Sequence, residues 1–351
     1  MSTPIGVAIV GLGFGVRVQL PGFRALGDDV ARVVALCGRD GDEAGRIAAA
    51  EGIPFATADW REALVAPGVD LVSIATPPGT HAEIAAAALA SGRAVLCEKP
   101  LALGWPEVVS VVEASQNSGA PTLVDFIFRA VPAFRVARGL IEEGRLGTLE
   151  SVEVEWTRTR SWSDRGPASW KDLAAAGGGV LANYGIHVLD YVSWLAGPST
   201  RVAAVLERPG GHPERADERA AVGLTLGSGA RATIELCVRP DSPTVHRVRL
   251  RGDRGELLLE NADPVDHVGA FVVTLDRTRL TTPAPRFGHG AADTRVGPFA
   301  EHAASLVTAL STGRAAVPSF HEALEAHALH DAVLNASASG SEAEVRLLTG
   351  G

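Results

Sequence analysis

The sequence predicts an α/β protein that begins with a parallel sheet covered by helices and continues into an α/β domain with an open-faced, mostly antiparallel sheet. Apolar strand-like runs and Ala-rich helical stretches alternate from residue 5 to about residue 125, a pattern typical of a parallel sheet with crossover helices. The strand-like runs are apolar on both faces, as expected for a sheet that is covered on both sides. Beyond residue 125 several strand-like runs follow one another, which favours an antiparallel sheet.

The elements of the first part are separated by short turns. Apolar runs predict strands at residues 5–10, 33–37, 71–75, 94–97 and 122–124. Ala-rich stretches between them predict helices that include residues 43–51, 81–90 and 106–115. We assign residues 1–125 to this first domain because the pattern changes abruptly after the last of these runs.

Residues 126–351 form the second predicted domain. A helix is predicted at residues 132–143, a strand at residues 151–157, and a further helix that follows three glycines and ends near residue 196. Strands separated by turns are predicted at residues 202–206, 220–226, 230–237, 245–250, 256–260 and 270–275. Two final helices, at residues 298–311 and 321–337, are expected to pack back toward the first domain.

Composition indicates a globular protein with an ample core, because 46% of the 351 residues are hydrophobic and 21% are charged. A net charge of −9 argues against a nucleic-acid partner, and no apolar run is long enough to span a membrane. The three cysteines lie far apart in sequence, as expected for buried thiols in a reducing compartment. The N-terminus lacks a basic segment followed by an apolar one, so we expect a cytoplasmic protein.

The last predicted helix is rich in histidine. His321, His327 and His330 accompany Glu325 on it, and these residue types also bind metals. The wet face of an amphipathic helix is the simpler interpretation, so we predict no metal site.

A glycine-rich turn follows the first strand. The segment Gly11-Leu12-Gly13-Phe14-Gly15-Val16 opens a helix. Gly11 permits a tight turn, and Gly13 permits close approach of a pyrophosphate to the helix N-terminus. The third glycine of the dinucleotide-binding fingerprint would fall on Val16, with Gly15 one place early. The position between a strand and a helix predicts dinucleotide binding, and the alternative is a plain glycine-rich turn.

The end of the second strand bears on cofactor choice. An acidic residue there binds the ribose 2′-hydroxyl of NAD and repels the 2′-phosphate of NADP. Gly38 occupies the expected position of that acid and Arg39 follows it, which favours NADP(H). Asp40 comes next, so NAD(H) remains possible if the register differs by two residues.

Lysine is rare in this chain. Lys99 and Lys171 are the only lysines, so all other cationic side chains in the Lys+Arg total of 32 are arginines. Arginine cannot release its proton at useful pH, whereas the pKa of a buried lysine shifts readily. Lys99 follows the strand at residues 94–97 directly and is the first candidate for proton transfer, although an ordinary strand-end lysine is the alternative.

Taken together, these segments resemble the glucose–fructose oxidoreductase, inositol dehydrogenase and rhizopine-catabolism family (Gfo/Idh/MocA). Its markers are Gly11-Leu12-Gly13, Ala75-Thr76-Pro77-Pro78-Gly79-Thr80-His81, Glu98-Lys99-Pro100, and Gly177-Gly178-Gly179 followed by His187. The resemblance implies a Rossmann domain, an α/β domain with an open-faced antiparallel sheet, and an active site between them. It also implies hydride transfer at a carbinol or carbonyl carbon, often of a sugar or cyclitol.

The resemblance assigns site residues. Lys99 matches the family's acid–base lysine, His187 matches its histidine, and Asn183 stands where the family has Asp. Asp190 shares a helical face with Asn183 and His187 and is a candidate to orient the imidazole. The residues expected to bind the cofactor are Gly11, Gly13, Phe14, Gly38, Arg39, Thr76, Pro77, His81, Glu98 and Lys99.

Substrate contacts are expected from Asn183, His187, Arg129, Trp162 and Trp170. The two tryptophans lie in an irregular stretch rich in arginine, and aromatic faces stack on sugar rings while Arg forks bind anionic groups. The alternatives are a solvated loop for this stretch and a domain-hinge ion pair for Arg129.

The leading function is therefore hydride transfer between NADP(H), or NAD(H), and a carbonyl or carbinol carbon of a polyol or keto-sugar-like molecule. One alternative is an NAD(P)-binding sensor or scaffold without turnover. Another is a lyase or glycosidase that uses tightly bound NAD for transient oxidation. We also expect a homodimer or homotetramer formed through the second domain's sheet, with apolar outward positions buried by the partner.

Overall fold

The computed structural model describes residues 3–159, 169–240, 242–266, 268–288 and 293–346. The chain folds into two compact units, each built from two segments that are distant in sequence. Unit one comprises Met1–Ala130 and Pro285–Ala323, and unit two comprises Val131–Ala284 and Leu324–Gly351. Each unit has its own sheet, so the fold is α/β with one parallel and one mixed sheet.

Helices account for much of both units. In chain order they are α1 (Leu20–Arg24), α2 (Gly41–Glu51), α3 (Trp60–Leu64), α4 (His81–Ala90), α5 (Trp105–Ser118), α6 (Pro132–Glu142), α7 (Ile186–Ala196), α8 (Val296–Thr312) and α9 (Phe320–Ser339). A π-helical turn precedes α1 and another precedes α7. The predicted helices match this set within a few residues at their ends, whereas the five-residue α3 was not anticipated.

The sheet of unit one is parallel. Its strands are β1 (Ile5–Val10), β2 (Ala31–Cys37), β3 (Phe55–Thr57), β4 (Leu71–Ile74), β5 (Ala94–Cys97) and β6 (Thr122–Val124). They are ordered β3-β2-β1-β4-β5-β6, so the order reverses between β1 and β4. Ligands of open α/β sheets bind beyond the carboxyl ends of the strands at such a reversal. Only the three-residue β3 was missed by the sequence analysis.

Helix α8 completes the core of unit one, although it lies far along the chain. Phe299 on this helix packs edge-to-face on Phe23 of α1, with ring centroids 5.4 Å apart. Val296 and Leu306 are buried in the same apolar cluster as Val7 of β1. The α8 helix therefore belongs to the parallel-sheet unit and brings its own polar residues to that sheet.

Within the described residues, unit two has a nine-stranded sheet ordered β14-β13-β12-β11-β7-β10-β9-β8-β15. The strands are β7 (Leu149–Thr159), β8 (Ser199–Glu207), β9 (Arg219–Leu226), β10 (Arg231–Arg239), β11 (Val245–Gly252), β12 (Gly255–Asn261), β13 (Val272–Leu275), β14 (Thr278–Leu280) and β15 (Ala343–Glu344). Neighbouring strands run antiparallel, except that β10 runs parallel to β7. The mostly antiparallel sheet is confirmed, and the short β14 and β15 were not predicted.

The outward face of the central strands is charged. Along β7, Val154 is buried, whereas Glu153 and Glu155 are on the opposite face. Arg247 of β11 lies 2.8 Å from Glu155, and Arg249 lies 3.2 Å from Glu153. Opposite charges placed across neighbouring strands stabilise the pairing. The expectation of apolar outward positions is therefore wrong for these strands, whose polar alternate residues pair with one another.

The last helix, α9, is less exposed than the sequence predicts. His327 of α9 is only 4% exposed, so the prediction that these histidines form a wet face is wrong for it. Among the described residues, no group of three or more His, Cys, Asp or Glu side chains is arranged to hold a metal ion. No helix in the same part of the chain combines the length and the apolar character that crossing a membrane requires.

Candidate active site

The glycine-rich turn after β1 packs closely against its neighbours at Gly11 and Gly15 and faces open space at Gly13. Gly11 has φ +119°, and a Cβ there would lie 2.5 Å from the carbonyl oxygen of Ala75. A Cβ on Gly13 would meet nothing within 4 Å. A Cβ on Gly15 would lie 2.7 Å from Cγ2 of Ile9, so Gly15 allows close helix–strand packing, the role of the fingerprint's third glycine. That role is filled one residue early, in the π-helical turn that starts at Gly15.

The carboxyl end of β2 has no free acid at the expected position. A Cβ on Gly38 would lie 2.3 Å from Cδ1 of Leu12, so the glycine-rich turn covers this position. Oδ1 of Asp40 accepts hydrogen bonds from the amides of Asp42 at 3.0 Å and Glu43 at 3.1 Å. Asp40 is thus the N-cap of α2.

Arg39 lies beside that cap and is exposed. Within the described residues it forms no ion pair. An exposed guanidinium at the end of β2 is suited to bind an anionic group bidentately.

His81 ties the loop after β4 to the segment after β5. The ring is 1% exposed, with Nδ1 2.8 Å from the carbonyl oxygen of Pro100 and Nε2 2.8 Å from that of Thr76. Burial lowers the pKa of His81, and the two carbonyl acceptors oppose that shift. His81 therefore fixes the backbone around Thr76 and Pro77 relative to the Lys99–Pro100 segment.

Lys99 emerges next to a pair of carboxyl groups. Because Cys97 of β5 is paired with Val124 of β6, the residues that follow, Glu98 and Asp125, leave the sheet side by side. The amide of Asp125 donates to the carbonyl oxygen of Cys97 at 2.9 Å. Lys99 is the next residue along and is partly buried.

The surroundings of Lys99 prepare it for proton exchange. Burial lowers the pKa of Lys99 to about 8, with a smaller contribution from Arg295, while Glu98 and Asp125 oppose the shift. Burial also raises the pKa of Glu98 well above its usual range, and the neighbouring Asp125 adds to that effect. An ammonium group with a pKa near the working pH is the form in which lysine serves best as a general acid or base.

Asp125 and His302 were not predicted from the sequence. Asp125 is 2% exposed and His302 on α8 is 3% exposed, with Nδ1 of the ring 2.7 Å from Oδ1 of the carboxyl group. Burial raises the pKa of Asp125 to about 7. The signal for Asp125 was available, since it is an acid directly after a buried strand. His302 has no local signal, because α8 reaches this place only through the tertiary fold.

In unit two, the three glycines lead into the helix that carries Asn183 and His187. Gly179 has φ +110°, and a Cβ on Gly178 would lie 2.3 Å from the carbonyl oxygen of Lys171. Asp217 then caps the helix, because its carboxylate accepts from the amide of Leu181 at 2.8 Å. Its backbone oxygen also accepts from the amide of Val180 at 2.9 Å.

The predicted polar residues lie along this helix. Asn183 is in the π-helical turn Leu181–Gly185, and its side-chain amide donates to the carbonyl oxygen of Gly179 at 2.8 Å. His187 on α7 is 8% exposed and Asp190 is 1% exposed. Asn183, His187 and Asp190 therefore lie on one continuous helical segment, and the side chains of His187 and Asp190 are buried.

The remaining predicted substrate residues are found in different places. Arg129 forms an ion pair with Glu322 at 3.1 Å, and both residues belong to unit one. Trp170 of unit two lies in a single helical turn, with Nζ of Lys171 5.3 Å from its ring centroid. Trp162 lies outside the described residues.

Comparison with known proteins agrees with this layout. Residues 5–126 match the oxidoreductase family with an NAD-binding Rossmann fold. Residues 134–258 match the C-terminal domain of GFO/IDH/MocA proteins.

The chain belongs to the Gfo/Idh/MocA family. It is 28% identical to an uncharacterized oxidoreductase of a Synechocystis species, over 94% of this chain and 93% of that protein. It is 27% identical to levoglucosan dehydrogenase of Pseudarthrobacter phenanthrenivorans, over 84% of each chain. It is 29% identical to inositol 2-dehydrogenase of Rhizobium meliloti, over 89% of this chain and 91% of that one.

Solved structures of two other proteins share the whole fold. An oxidoreductase domain protein from Kribbella flavida superposes with a TM-score of 0.85 at 26% identity, over 99% of this chain and 100% of that one. Levoglucosan dehydrogenase in complex with NADH and levoglucosan superposes with a TM-score of 0.83 at 25% identity, over 98% and 100%. This family member is an NAD(P)-dependent oxidoreductase, and its relatives include dehydrogenases of sugars and cyclitols.

Proposed function

We propose that this protein transfers hydride between a nicotinamide cofactor and a carbonyl or carbinol carbon of a sugar- or cyclitol-like molecule, with Lys99 as the acid–base group. The observation that carries the proposal is the position of Lys99. It follows β5 at the same edge of the parallel sheet as the glycine-rich turn after β1, and its pKa is lowered by burial to about 8. A general acid is needed where a reduced carbonyl oxygen takes up a proton.

The residues after the parallel strands fit a dinucleotide. Gly13 leaves open space at the start of the first helix, where backbone amides suit a pyrophosphate. Phe14 begins that helix, and the loop bearing Thr76 and Pro77 follows β4 beside it. A bound nicotinamide would supply or accept the hydride.

This chain's own residues would handle the proton and orient the substrate. Protonated Lys99 donates from Nζ to the substrate oxygen during reduction, and the neutral amine accepts the proton during oxidation. We propose that Asn183 and His187 bind substrate hydroxyls, because an amide offers both a donor and an acceptor and an imidazole offers one of each. Arg129 and Trp170 remain candidates for outer substrate contacts.

We further propose a preference for NADP(H) over NAD(H). Gly38 has no side chain to bind the ribose 2′-hydroxyl, and Leu12 covers that position. Asp40 is used as a helix cap, and Arg39 is exposed beside it. A charge-assisted contact from Arg39 to the 2′-phosphate would contribute about 1.5–3 kcal/mol, or roughly 10- to 100-fold in affinity.

Titration of the protein with NADPH and NADH tests this preference. We expect NADPH to bind more tightly, and Arg39→Ala to weaken NADPH binding by roughly 10- to 100-fold with little effect on NADH. Arg32→Ala is the matched control, because Arg32 is an exposed arginine near the start of the same strand. Equal affinities in the wild type, or an Arg39→Ala variant that binds NADPH normally, would contradict the proposal.

The reaction itself is tested by a screen of keto-sugars, inosose-like cyclitols and dicarbonyls with both reduced cofactors. Net consumption of reduced cofactor identifies an oxidoreductase, whereas a sensor or a lyase with transient oxidation gives none. Lys99→Ala should lose turnover by at least ~10²-fold while cofactor binding survives. A Lys99→Ala variant with normal turnover would remove Lys99 from the mechanism.

A further inference from the structure

We propose that the carboxyl groups of Glu98 and Asp125 act as one shared counter-ion for Lys99, with His302 holding Asp125 in place. Asp125 and His302 would then be positioning residues, a role that rests on the proposed function of Lys99. Neither residue is part of the sequence segments that mark the family in this chain.

Strand register brings the two carboxyl groups together. Cys97 and Val124 are partners across β5 and β6, so the next residue on each strand is Glu98 or Asp125. Glu98 and Asp125 therefore lie next to each other at the strand ends, and each influences the pKa of the other. Both carboxyl groups act electrostatically on the neighbouring Lys99, whose charged form they favour.

Other buried polar side chains hold this pair from both ends. Nε2 of Gln19 donates to Oε1 of Glu98 at 3.2 Å, and Ser73 donates through Oγ to Oε1 of Gln19 at 2.8 Å. At the far end, Nδ1 of His302 lies 2.7 Å from Oδ1 of Asp125. Gln19 and Ser73 are 0% exposed. Burying so many polar groups is costly unless each has a partner, and here each end of the carboxyl pair has one.

The groups that face the pair come from several elements. Lys99 and the thiol of Cys97 lie at the end of β5, Arg295 precedes α8 and His302 is on α8, whereas His81 at the start of α4 interacts electrostatically with Lys99. Lys99 and Arg295 favour the ionised form of Asp125.

Two adjacent buried carboxyl groups cannot both ionise easily, because the like charges repel in a medium of low dielectric constant. Burial raises the pKa of Asp125 to about 7 and raises that of Glu98 well above its usual range. Above pH 7 the pair therefore holds one proton and carries one negative charge, and it titrates as a unit. That single negative charge partly offsets the free-energy cost of removing the Lys99 ammonium group from water.

Neutralising one member should move the charge to the other instead of removing it. Glu98→Gln leaves Asp125 ionised, and Asp125→Asn leaves Glu98 ionised, so each single variant should shift the pKa of Lys99 by no more than about 0.2 units. The double variant leaves no carboxylate and should lower the pKa of Lys99 by about one unit or more, since an opposite charge within ~4–6 Å shifts a pKa by about 1–3 units. Two independent carboxylates would give additive shifts instead.

The pKa of Lys99 can be read directly, because the chain has only two lysines. Metabolic labelling with [¹³Cε]lysine gives two NMR signals, one for Lys99 and one for Lys171, and Lys171→Arg assigns them. The signals are titrated against pH in wild type, Glu98→Gln, Asp125→Asn and the double variant. No substrate or turnover is needed, so a failure of the proposed function in the enzyme assay is distinguished from a failure here.

We expect Lys99 to titrate near 8 in the wild type, to shift little in either single variant, and to fall by about one unit or more in the double variant. Additive shifts, or a Lys99 signal that titrates at the ordinary lysine pKa, would overturn the proposal. Both single replacements are nearly isosteric and keep polar groups for hydrogen bonding. If the double variant does not fold, shifts of one unit or more in either single variant still overturn it.

His302 provides an independent test on the same signal. His302→Leu removes the hydrogen-bond donor to Asp125, which raises the pKa of the carboxyl pair. A smaller fraction of the pair is then ionised, so the pKa of Lys99 should fall. His302→Asn places an amide nitrogen near the position of Nδ1 and should restore the wild-type titration. A role in packing alone predicts lower stability in His302→Leu with an unmoved Lys99 signal.

Discussion

The lowered pKa of Lys99 predicts how the rate depends on pH. Burial brings the pKa of this amine down to about 8 from its ordinary value of 10.5. In carbonyl reduction the protonated form is the active acid, so the rate should be full below pH 8 and should fall as pH rises through 8. In alcohol oxidation the neutral amine is the active base, so the dependence should be reversed.

The expected change in rate with pH follows from the size of the pKa shift of Lys99. With a pKa of about 8, roughly nine-tenths of Lys99 is protonated at pH 7 and roughly one-tenth at pH 9. We therefore expect kcat/KM for reduction to fall by roughly tenfold between pH 7 and pH 9. A lysine at its ordinary pKa of 10.5 would stay almost fully protonated over that interval and give a flat profile.

The assay is kcat/KM against pH, measured in both directions with one substrate pair and a saturating cofactor concentration. Lys171→Arg is the matched control, because it removes the other lysine of the chain. Lys99→Arg should be inactive in both directions, since a guanidinium does not exchange its proton in this range.

Two results would refute the assignment of Lys99 as the acid–base group. One is a reduction profile that stays flat through pH 9 although chemistry limits the rate. The other is an active Lys99→Arg variant with the wild-type profile, which would show that positive charge alone matters at this position.

The remaining predictions concern unit two. Asn183→Asp should move the part of the pH–rate profile that reports Lys99 to higher pH, because a carboxylate near the substrate favours the charged amine. Identical profiles for the two proteins would show that residue 183 does not influence Lys99 electrostatically. Asp217→Ala should lower the free energy of unfolding in urea by about 1–3 kcal/mol, as the buried amide of Leu181 loses its acceptor, whereas Asp217→Asn should lose less; equal stability of Asp217→Ala and the wild type would contradict the capping role. Light scattering should give at least twice the 36.4 kDa of one chain, and a particle of that single mass at micromolar concentration would argue against a homo-oligomer.

Much of unit one could be predicted from sequence because its elements are marked locally. Residues 5–10, 94–97 and 122–124 were predicted as strands with the boundaries that the structure shows. Buried parallel strands are continuously apolar and end at glycine, proline or charged residues, so the pattern itself locates the strand ends. In a parallel sheet those ends meet at one edge, so Gly11, Gly38 and Lys99, which were predicted separately, follow strands at the same edge.

Other features depend on contacts between distant segments. The pairing of β10 with β7 in parallel gives no local signal, since the alternation of each strand is the same in either direction. The outward positions of β11 were predicted to be apolar, whereas they carry ion pairs such as Arg247–Glu155, which are defined by register across strands. Register is set by packing of the whole sheet and not by either strand alone.

By itself, the sequence determined the α/β class, the strand ends that carry glycine and lysine, and the family to which the chain belongs. Only the tertiary structure decided the surroundings of Lys99. Asp125 and His302 are 177 residues apart, and they meet because the apolar face of α8 is buried against the parallel-sheet core. The pKa of a side chain depends on desolvation and on the charges within a few ångströms of it. Those quantities exist only after distant segments have packed, which is why the sequence identified Lys99 and Glu98 but neither Asp125 nor His302.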